Sequence, residues 1–176
     1  KKSYVNKRTI SQFVKPEKIP PDIEDEILEA FTNYSLEDDM RVANLKSYYS
    51  DLKIPKLFIV GNKRIDARHM IIEGTDIIDF DKLLVKSFQL IIFRNNKHII
   101  QQNWDLLQNS LKEFGKTEKS NGLNYKNLKN ISEDVKTGIS DPILLDMVAV
   151  ATDGEGVDVN FIDFAYIMGK LGELSI

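Results

Sequence analysis

The sequence predicts an all-α protein built from repeated helix–loop–helix units. Apolar residues recur at helical spacing along most of the chain, as at Ile23, Ile27 and Phe31, and this period is typical of helices with one buried face. A unit of helix, polar loop and helix then occurs four times, and internal repeats of this kind decide a fold. The 176 residues, 42% of them hydrophobic, suffice for one substantial core or two small ones.

The predicted helices follow in order along the chain. The first begins behind Pro20-Pro21, because proline blocks a helix from continuing behind it. A long apolar segment starts at Phe80, breaks at residues 94–97 and continues to Phe114. Ser140-Asp141-Pro142 is a helix start with proline at the first helical position. Further apolar stripes carry Leu45, Tyr48, Tyr49 and Leu52; Leu128, Ile131 and Val135; and Phe164, Ile167, Met168 and Leu171.

A short extended segment precedes the second helix of each unit. Each segment places an apolar residue five positions before the first inward apolar residue of that helix; these residues are Met40, Ile78, Leu123 and Val159. This is the spacing of EF-hands, in which the eighth loop residue pairs with the neighbouring hand. We therefore expect a calmodulin-like fold with two lobes of paired EF-hands, residues 16–94 and 95–176.

The predicted calcium loops lack the ligands that the ion requires. A working loop has oxygen ligands at positions one, three, five, seven and nine, glycine at six and glutamate at twelve. With Val159 at position eight, the fourth loop has Thr152 at one, Val157 at six, where the backbone needs a positive φ, and Asp163 at twelve. The second loop places Lys82 at twelve. We expect these hands to be degenerate.

The first and third loops fail the same test. Asn44 and Asn127 occupy position twelve, so none of the four hands has glutamate there. The absence of cysteine excludes thiolate sites, and His69 and His98 are too few for a histidine cluster. Asp153-Gly154-Glu155-Gly156 lacks the lysine of a phosphate-binding loop. We expect no metal, no cofactor and no catalytic residue.

Charge separates the start of the chain from the remainder. Residues 1–15 carry five basic side chains and no acidic one, whereas the remaining residues carry 19 basic and 27 acidic side chains. We expect residues 1–15 to form a flexible basic tail that can at most contact nucleic acid or an acidic partner weakly. We expect the acidic remainder of the chain not to bind the phosphate groups of nucleic acid. No apolar stretch is long enough to cross a bilayer and no secretory signal is evident, which predicts a soluble intracellular protein.

A pair of lobes without a calcium switch can still hold an apolar helix permanently. The C-terminal lobe has the residues for such a groove, including two adaptable methionines. Ordinary core packing is the alternative explanation for each residue alone. The candidate groove residues are Phe114, Leu128, Ile131, Val135, Leu144, Met147, Val148, Phe164 and Met168.

Several short segments of the sequence resemble those of a known family. From Leu128 to Met168 the chain is similar to the C-terminal lobe of centrins. IEDEILEAF, SLEDDM, IIEGTDIIDF, ATDG and FAYIMGKLG resemble the small centrin-like nucleotide-excision-repair proteins of yeasts, and the resemblance covers nearly all of residues 16–176. The basic tail is not covered.

The resemblance implies a nuclear accessory subunit without catalytic activity. Such a subunit binds a C-terminal apolar helix of the yeast counterpart of the xeroderma pigmentosum group C protein, which recognises DNA damage and recruits the general transcription and repair factor. The nine groove residues match the positions with which centrins hold the equivalent helix, and DNA contact is left to the partner. The alternative is a light-chain-like subunit on a helix of a cytoskeletal or motor protein.

Overall fold

Helices make up most of the part of the chain that the structure describes. The computed structural model describes residues 12–113 and 122–176. The α-helices are α1 Pro21–Ser35, α2 Leu45–Asp51, α3 Phe80–Asn95, α4 Lys97–Glu113, α5 Tyr125–Asp134, α6 Asp141–Ala151 and α7 Phe161–Lys170. Two short strands, β1 Leu123–Asn124 and β2 Asp158–Val159, pair antiparallel. The predicted predominance of helix is confirmed. Across the described ranges, no helix combines the length and apolar character needed to cross a membrane.

The chain divides into two compact units. Unit 1 contains the described residues up to Asn96 together with Gly169–Ile176, and unit 2 contains Lys97–Met168. The predicted division into 16–94 and 95–176 differs from these units because it places the last residues with the second lobe. They group with unit 1 because Leu174 is buried and the side chain of Asn96 binds both backbone groups of Ser175.

Unit 1 has its core between α1, α2 and α3. Ile23, Ile27 and Ala30 of α1 are buried, as their spacing of one helical face predicts. Between α2 and α3 the chain forms three short 3₁₀ turns, Lys56–Phe58, Lys63–Ile65 and Ala67–His69. The side chains of Asn62 and Asp66 accept backbone hydrogen bonds at the starts of the second and third of these turns. No long helix therefore precedes the loop that leads into α3.

Backbone hydrogen bonds join the two loops of unit 1. The N–H of Ile78 donates to the carbonyl of Met40 at 2.8 Å, and the N–H of Val42 donates to the carbonyl of Asp76 at 3.0 Å. Met40 and Ile78 are both buried. These hydrogen bonds join the residues just before α2 to the residues just before α3. The N-terminal ends of the two helices are therefore held close to each other.

Unit 2 is built around Trp104 and the small sheet. Leu123 lies opposite Val159, and Asn124 lies opposite Asp158. The Trp104 ring has its centroid 5.9 Å from that of Phe161 and 5.4 Å from that of Phe164. The buried core residues are Trp104, Leu111, Leu123, Val148, Ala151 and Val159, and the half-buried residues around them are Leu107, Leu128, Ile131, Phe161, Phe164 and Ile167.

Three helices end on a residue with a left-handed backbone. The φ angles of Lys53, Lys136 and Asp153 are 53°, 53° and 52°. After α5, the N–H of Thr137 donates to Ser132 and that of Lys136 donates to Glu133; equivalent bonds follow α2 and α6. This is the Schellman pattern, which usually has glycine at the left-handed position.

Candidate partner-binding surface

Helix α6 is apolar on more than one face. Its sequence is DPILLDMVAVA, with Ser140 as the N-cap residue and proline in the first turn, as predicted. A helix that is apolar all round is normally buried all round. In α6, however, only Leu144, Val148 and Ala151 are buried. A second apolar stripe must therefore face away from the core of unit 2.

The second stripe lies at helical spacing on the open side of α6. Ile143, Met147 and Val150 are exposed by 53%, 46% and 68% of their surface, and we call these three residues the exposed stripe. Their spacing of four and three residues places them on one line of the helix, about 10 Å long. Contiguous exposed apolar surface of this kind marks an interaction site more often than an accident of sequence.

The nine predicted groove residues fall into three groups. Val135 and Met147 are exposed, by 67% and 46%. Phe114 lies outside the described residues. The others pack inside unit 2 or are largely covered: Leu128, Ile131, Leu144, Val148, Phe164 and Met168. The prediction included Met147 but omitted Ile143 and Val150, which the apolar content of α6 on all faces could have indicated.

An ion pair joins α5 to the start of α6. Lys129 Nζ lies 3.0 Å from Asp141 Oδ2. The hydrogen bond from Lys129 lowers the pKa of the Asp141 carboxyl, and the same contact raises the pKa of Lys129. Both side chains are solvent-accessible, so the pair contributes mainly to the position of the α6 N-terminus and little to stability.

The region around the exposed stripe is acidic. Between residues 122 and 168 the sequence has eight acidic and three basic side chains. Asp146 adjoins Met147 on the exposed side of α6. A partner that places lysine or arginine beside an apolar face therefore meets a favourable potential here.

Position twelve of the predicted calcium loops is used to cap helices. The N–H of residue nine donates to the side chain of residue twelve in three loops: Arg41 to Asn44 at 2.9 Å, Asn124 to Asn127 at 3.0 Å and Asn160 to Asp163 at 3.1 Å. The last two pairs are reciprocal, since Asn127 and Asp163 donate their own N–H groups back to Asn124 and Asn160. These side chains stabilise helix starts and do not converge on a central ion.

The second loop has an ammonium group where an ion ligand is required. Lys82 Nζ donates to the carbonyl of Ile71 at 3.0 Å and lies 3.2 Å from Asp79 Oδ2. The bond to Lys82 lowers the pKa of the Asp79 carboxyl. Asp79 also accepts from the N–H groups of Asp81 and Lys82 at the start of α3. The residues do not fit a calcium site, because a cationic side chain already occupies the ligand positions.

The fourth loop turns directly after α6. Its positive φ angles are at Asp153 and Gly154, and Val157, at position six where a calcium loop needs a positive φ, does not adopt one. The chain reverses at once through the Schellman end of α6. The buried hydroxyl of Thr152 lies 3.0 Å from the carbonyl oxygens of both Val148 and Gly156. In the described part of the chain, no three His, Asp or Glu side chains form a group that could hold a metal ion.

Comparison with known proteins identifies the family. The profile of the Rad33 family matches residues 13–71 and 62–138. The chain belongs to the Rad33 family. It is also similar to the Saccharomyces cerevisiae protein named DNA repair protein RAD33, with 33% identity over 181 residues that cover 100% of this chain and 99% of the relative. The Rad33 profile ends before the exposed stripe, whereas the similarity to the yeast protein includes it.

Proposed function

We propose that this chain is a non-catalytic accessory subunit in nucleotide excision repair. Membership of the Rad33 family supports a role in DNA repair. In the proposal, the chain binds and stabilises the C-terminal apolar helix of the xeroderma pigmentosum group C-type damage-recognition protein, without calcium. The observation that carries the proposal is the exposed stripe of α6 (Ile143, Met147 and Val150).

The dimensions of the exposed stripe suit a helix as the partner. Three apolar side chains on one line over two turns are the counterpart of the i, i+3, i+4 and i+7 anchors of an amphipathic helix. The thioether of Met147 adapts to partner side chains of different shape. Because the surroundings are acidic, the proposed partner helix carries basic residues beside its apolar anchors.

The chemistry of the loops supports binding without calcium. In EF-hand sensors the ion opens the groove. Here the pairing of Leu123 with Val159 and the helix order support an EF-hand ancestry of unit 2. Asp163, at position twelve of the fourth loop, is engaged with the N–H of Asn160. In our proposal packing and helix caps hold unit 2 together, so the exposed stripe is permanently available.

The proposal places the protein in the nucleus, with its partner and, through it, the general transcription and repair factor. It assigns DNA contact to the partner and includes no catalytic step and no membrane contact. A light-chain-like role on a cytoskeletal or motor helix would use the same surface. The name of the yeast relative, a DNA repair protein, favours the repair role.

The test is a titration of the full chain with the C-terminal helix of the damage-recognition protein from the same organism. We expect one-to-one binding that is the same in calcium and in chelator. Ile143→Glu together with Met147→Glu should weaken binding at least about a hundredfold, because two apolar contacts are replaced by buried charges. Leu28→Glu changes an exposed leucine of unit 1 and serves as the control.

The outcome that contradicts the proposal is equally clear. Binding that survives both charges in a chain with an unchanged helical spectrum would exclude the exposed stripe as the contact. Binding that requires calcium would exclude the permanent mode. Capture of the chain from nuclear extract by a motor-protein helix and not by the repair helix would favour the light-chain-like role.

A further inference from the structure

Helix α3 is buried on every side for two turns. Ser87, Phe88, Gln89, Leu90, Ile91, Ile92 and Phe93 are all buried. Seven consecutive residues point in all directions around a helix, so no face of this part of α3 is open to a partner. One of these faces contains polar side chains as well as an aromatic ring, because Gln89, Phe93 and Asn96 lie at positions i, i+4 and i+7.

The segment just before α1 covers one half of this face. Phe13 is 2% exposed, and its ring centroid lies 5.6 Å from that of Phe93. Gln89 Nε2 donates to the carbonyl oxygen of Phe13 at 3.1 Å, and this hydrogen bond is buried. Phe13 belongs to the predicted basic tail, residues 1–15, of which 1–11 lie outside the described residues. Phe13 itself is thus packed against α3, whereas the flexibility of the tail stays a prediction.

The end of the chain covers the other half. Asn96 is buried, and its side chain donates to the carbonyl of Ser175 at 2.7 Å and accepts from the N–H of Ser175 at 3.0 Å. Leu174 beside it is buried. A side-chain amide that binds both backbone groups of one residue fixes an extended peptide as a neighbouring strand would. Gln89 and Asn96 thus hold two distant segments against α3.

Gly169 makes room for the Phe13 ring. A Cβ atom at position 169 would lie 2.5 Å from Cζ and 2.6 Å from Cε2 of Phe13. Carbon atoms do not approach so closely without displacing one another. Any side chain at this position would displace the Phe13 ring, so the fit between Gly169 and Phe13 is a specific feature of unit 1.

We infer that segments of this chain itself cover the face of α3 on which unit 1 could otherwise hold a partner helix. Phe13, before α1, and Ser175, after α7, occupy the Gln89, Phe93 and Asn96 face of α3, and unit 1 consequently takes no helix from a partner. Unit 1 also forms short 3₁₀ turns between Lys56 and His69, where unit 2 has α6 with its exposed stripe. Under the proposed function, on which this last step rests, the chain holds a single partner helix through unit 2.

The first test measures, without any partner, whether the end of the chain is bound to Asn96 of unit 1. The amide of Ser175 should exchange its hydrogen slowly in the full chain, because it donates to Asn96. Asn96→Ala should accelerate this exchange at least about tenfold, whereas Leu28→Ala on exposed α1 surface should leave it unchanged. Exchange of the Ser175 amide at the rate of an unstructured peptide in the unaltered chain would overturn the inference.

The second test counts binding sites with a synthetic probe. The probe is a leucine–lysine amphipathic helix of roughly 18 residues, about 27 Å long, with one tryptophan on its apolar face. We expect one equivalent to bind the unaltered chain and a second to bind Phe13→Ala. Gly169→Ala should also gain the second site by expelling the Phe13 ring, and it replaces Phe13→Ala if that variant does not fold.

Adding Met147→Glu separates this inference from the proposed function. The site gained in Phe13→Ala should persist when Met147 is charged, while the original site is lost. If the unaltered chain binds no probe and Phe13→Ala binds one, the proposed binding by the exposed stripe is contradicted. The inference that the chain covers the α3 face of unit 1 is supported by the same result. If folded Phe13→Ala and Gly169→Ala gain no site, or if the unaltered chain already binds a second probe in unit 1, the inference is wrong.

Discussion

Lys82 Nζ donates to the carbonyl oxygen of Ile71 at 3.0 Å, so an ammonium group joins the first and twelfth positions of a loop that resembles a calcium site. The same nitrogen lies 3.2 Å from the carboxylate of Asp79. The positive charge that a calcium ion would bring is supplied here by a side chain. Closure of this loop consequently depends on the chain alone.

Calcium should therefore have no effect on the protein. We expect a calorimetric titration with calcium to release no heat and to leave the melting temperature unchanged. Lys82→Glu should not create a site, because Ile71 offers no side-chain oxygen and Asp79 already accepts the N–H groups of Asp81 and Lys82. Binding at micromolar calcium by the unaltered chain would contradict this prediction.

Glu26 should give unit 1 a stability that depends on pH. Its carboxylate lies 3.0 Å from Arg94 Nη2, and Arg94 also donates to the carbonyl of Leu52 at 2.7 Å. The hydrogen bond from Arg94 lowers the pKa of Glu26 below its usual 4.5. A lowered pKa in the folded state stabilises the protein above pH 4.5, and this contribution is lost as the pH falls through the folded pKa.

Glu26→Gln should reduce the free energy of unfolding by about 0.5–1 kcal/mol near neutral pH, since the pair is partly screened by solvent. Denaturant unfolding of the two chains at a series of pH values should show this difference shrinking below pH 4.5. Glu29→Gln on the exposed side of α1 provides the comparison. A difference that grows on acidification would contradict the assignment.

The left-handed residue after α5 offers a stabilising substitution. Lys136 has a φ of 53° at a position where glycine costs no strain. Lys136→Gly should raise the free energy of unfolding by up to about 1 kcal/mol. Gln102→Gly, at an exposed site within α4, should lower it by about 1 kcal/mol. Equal destabilisation by both substitutions, measured by urea unfolding, would argue against the left-handed conformation.

The hydroxyl of Thr152 should support the fourth loop. Thr152 is buried and its Oγ1 lies 3.0 Å from the carbonyl of Gly156. Thr152→Val keeps the volume but removes the donor, so we expect a loss of about 1–3 kcal/mol in the free energy of unfolding. Thr32→Val on α1, where the hydroxyl is exposed, should cost less than about 0.5 kcal/mol. Similar losses in both variants would indicate a general effect of valine in helices.

Local patterns were sufficient to predict the helices but not the ends of the fold. The period of apolar residues predicts α1, α3 and α6, and the fixed spacing to the next helix selects Leu123 and Val159, which lie opposite each other. Phe13 was missed because it belongs to no apolar stripe of helical spacing. Its burial depends on Gly169, at the other end of the sequence, and no local period reports such a contact.

The partner surface was only partly predictable for a related reason. Eight of the eleven residues of α6 are apolar, so its sequence alone does not indicate which stripe meets the core. The buried stripe packs in one core with Trp104 and with Leu123 and Val159 of the β1–β2 sheet, all of which lie outside α6. Met147 and Val135 were predicted as contacts and are exposed, whereas Leu144 and Val148 are enclosed. Their role in holding a partner stays a prediction.

The two bonds between Asn96 and Ser175 determine what a label at residue 176 can report. A dye attached there is anchored beside α3, although its place in the sequence suggests that it follows α7. An energy-transfer pair between residue 176 and Leu28 therefore measures a distance within unit 1. A pair between residue 176 and the exposed Val157 measures the separation of the two units. The second pair can follow the protein in solution as a partner helix is added, with the first as its internal standard.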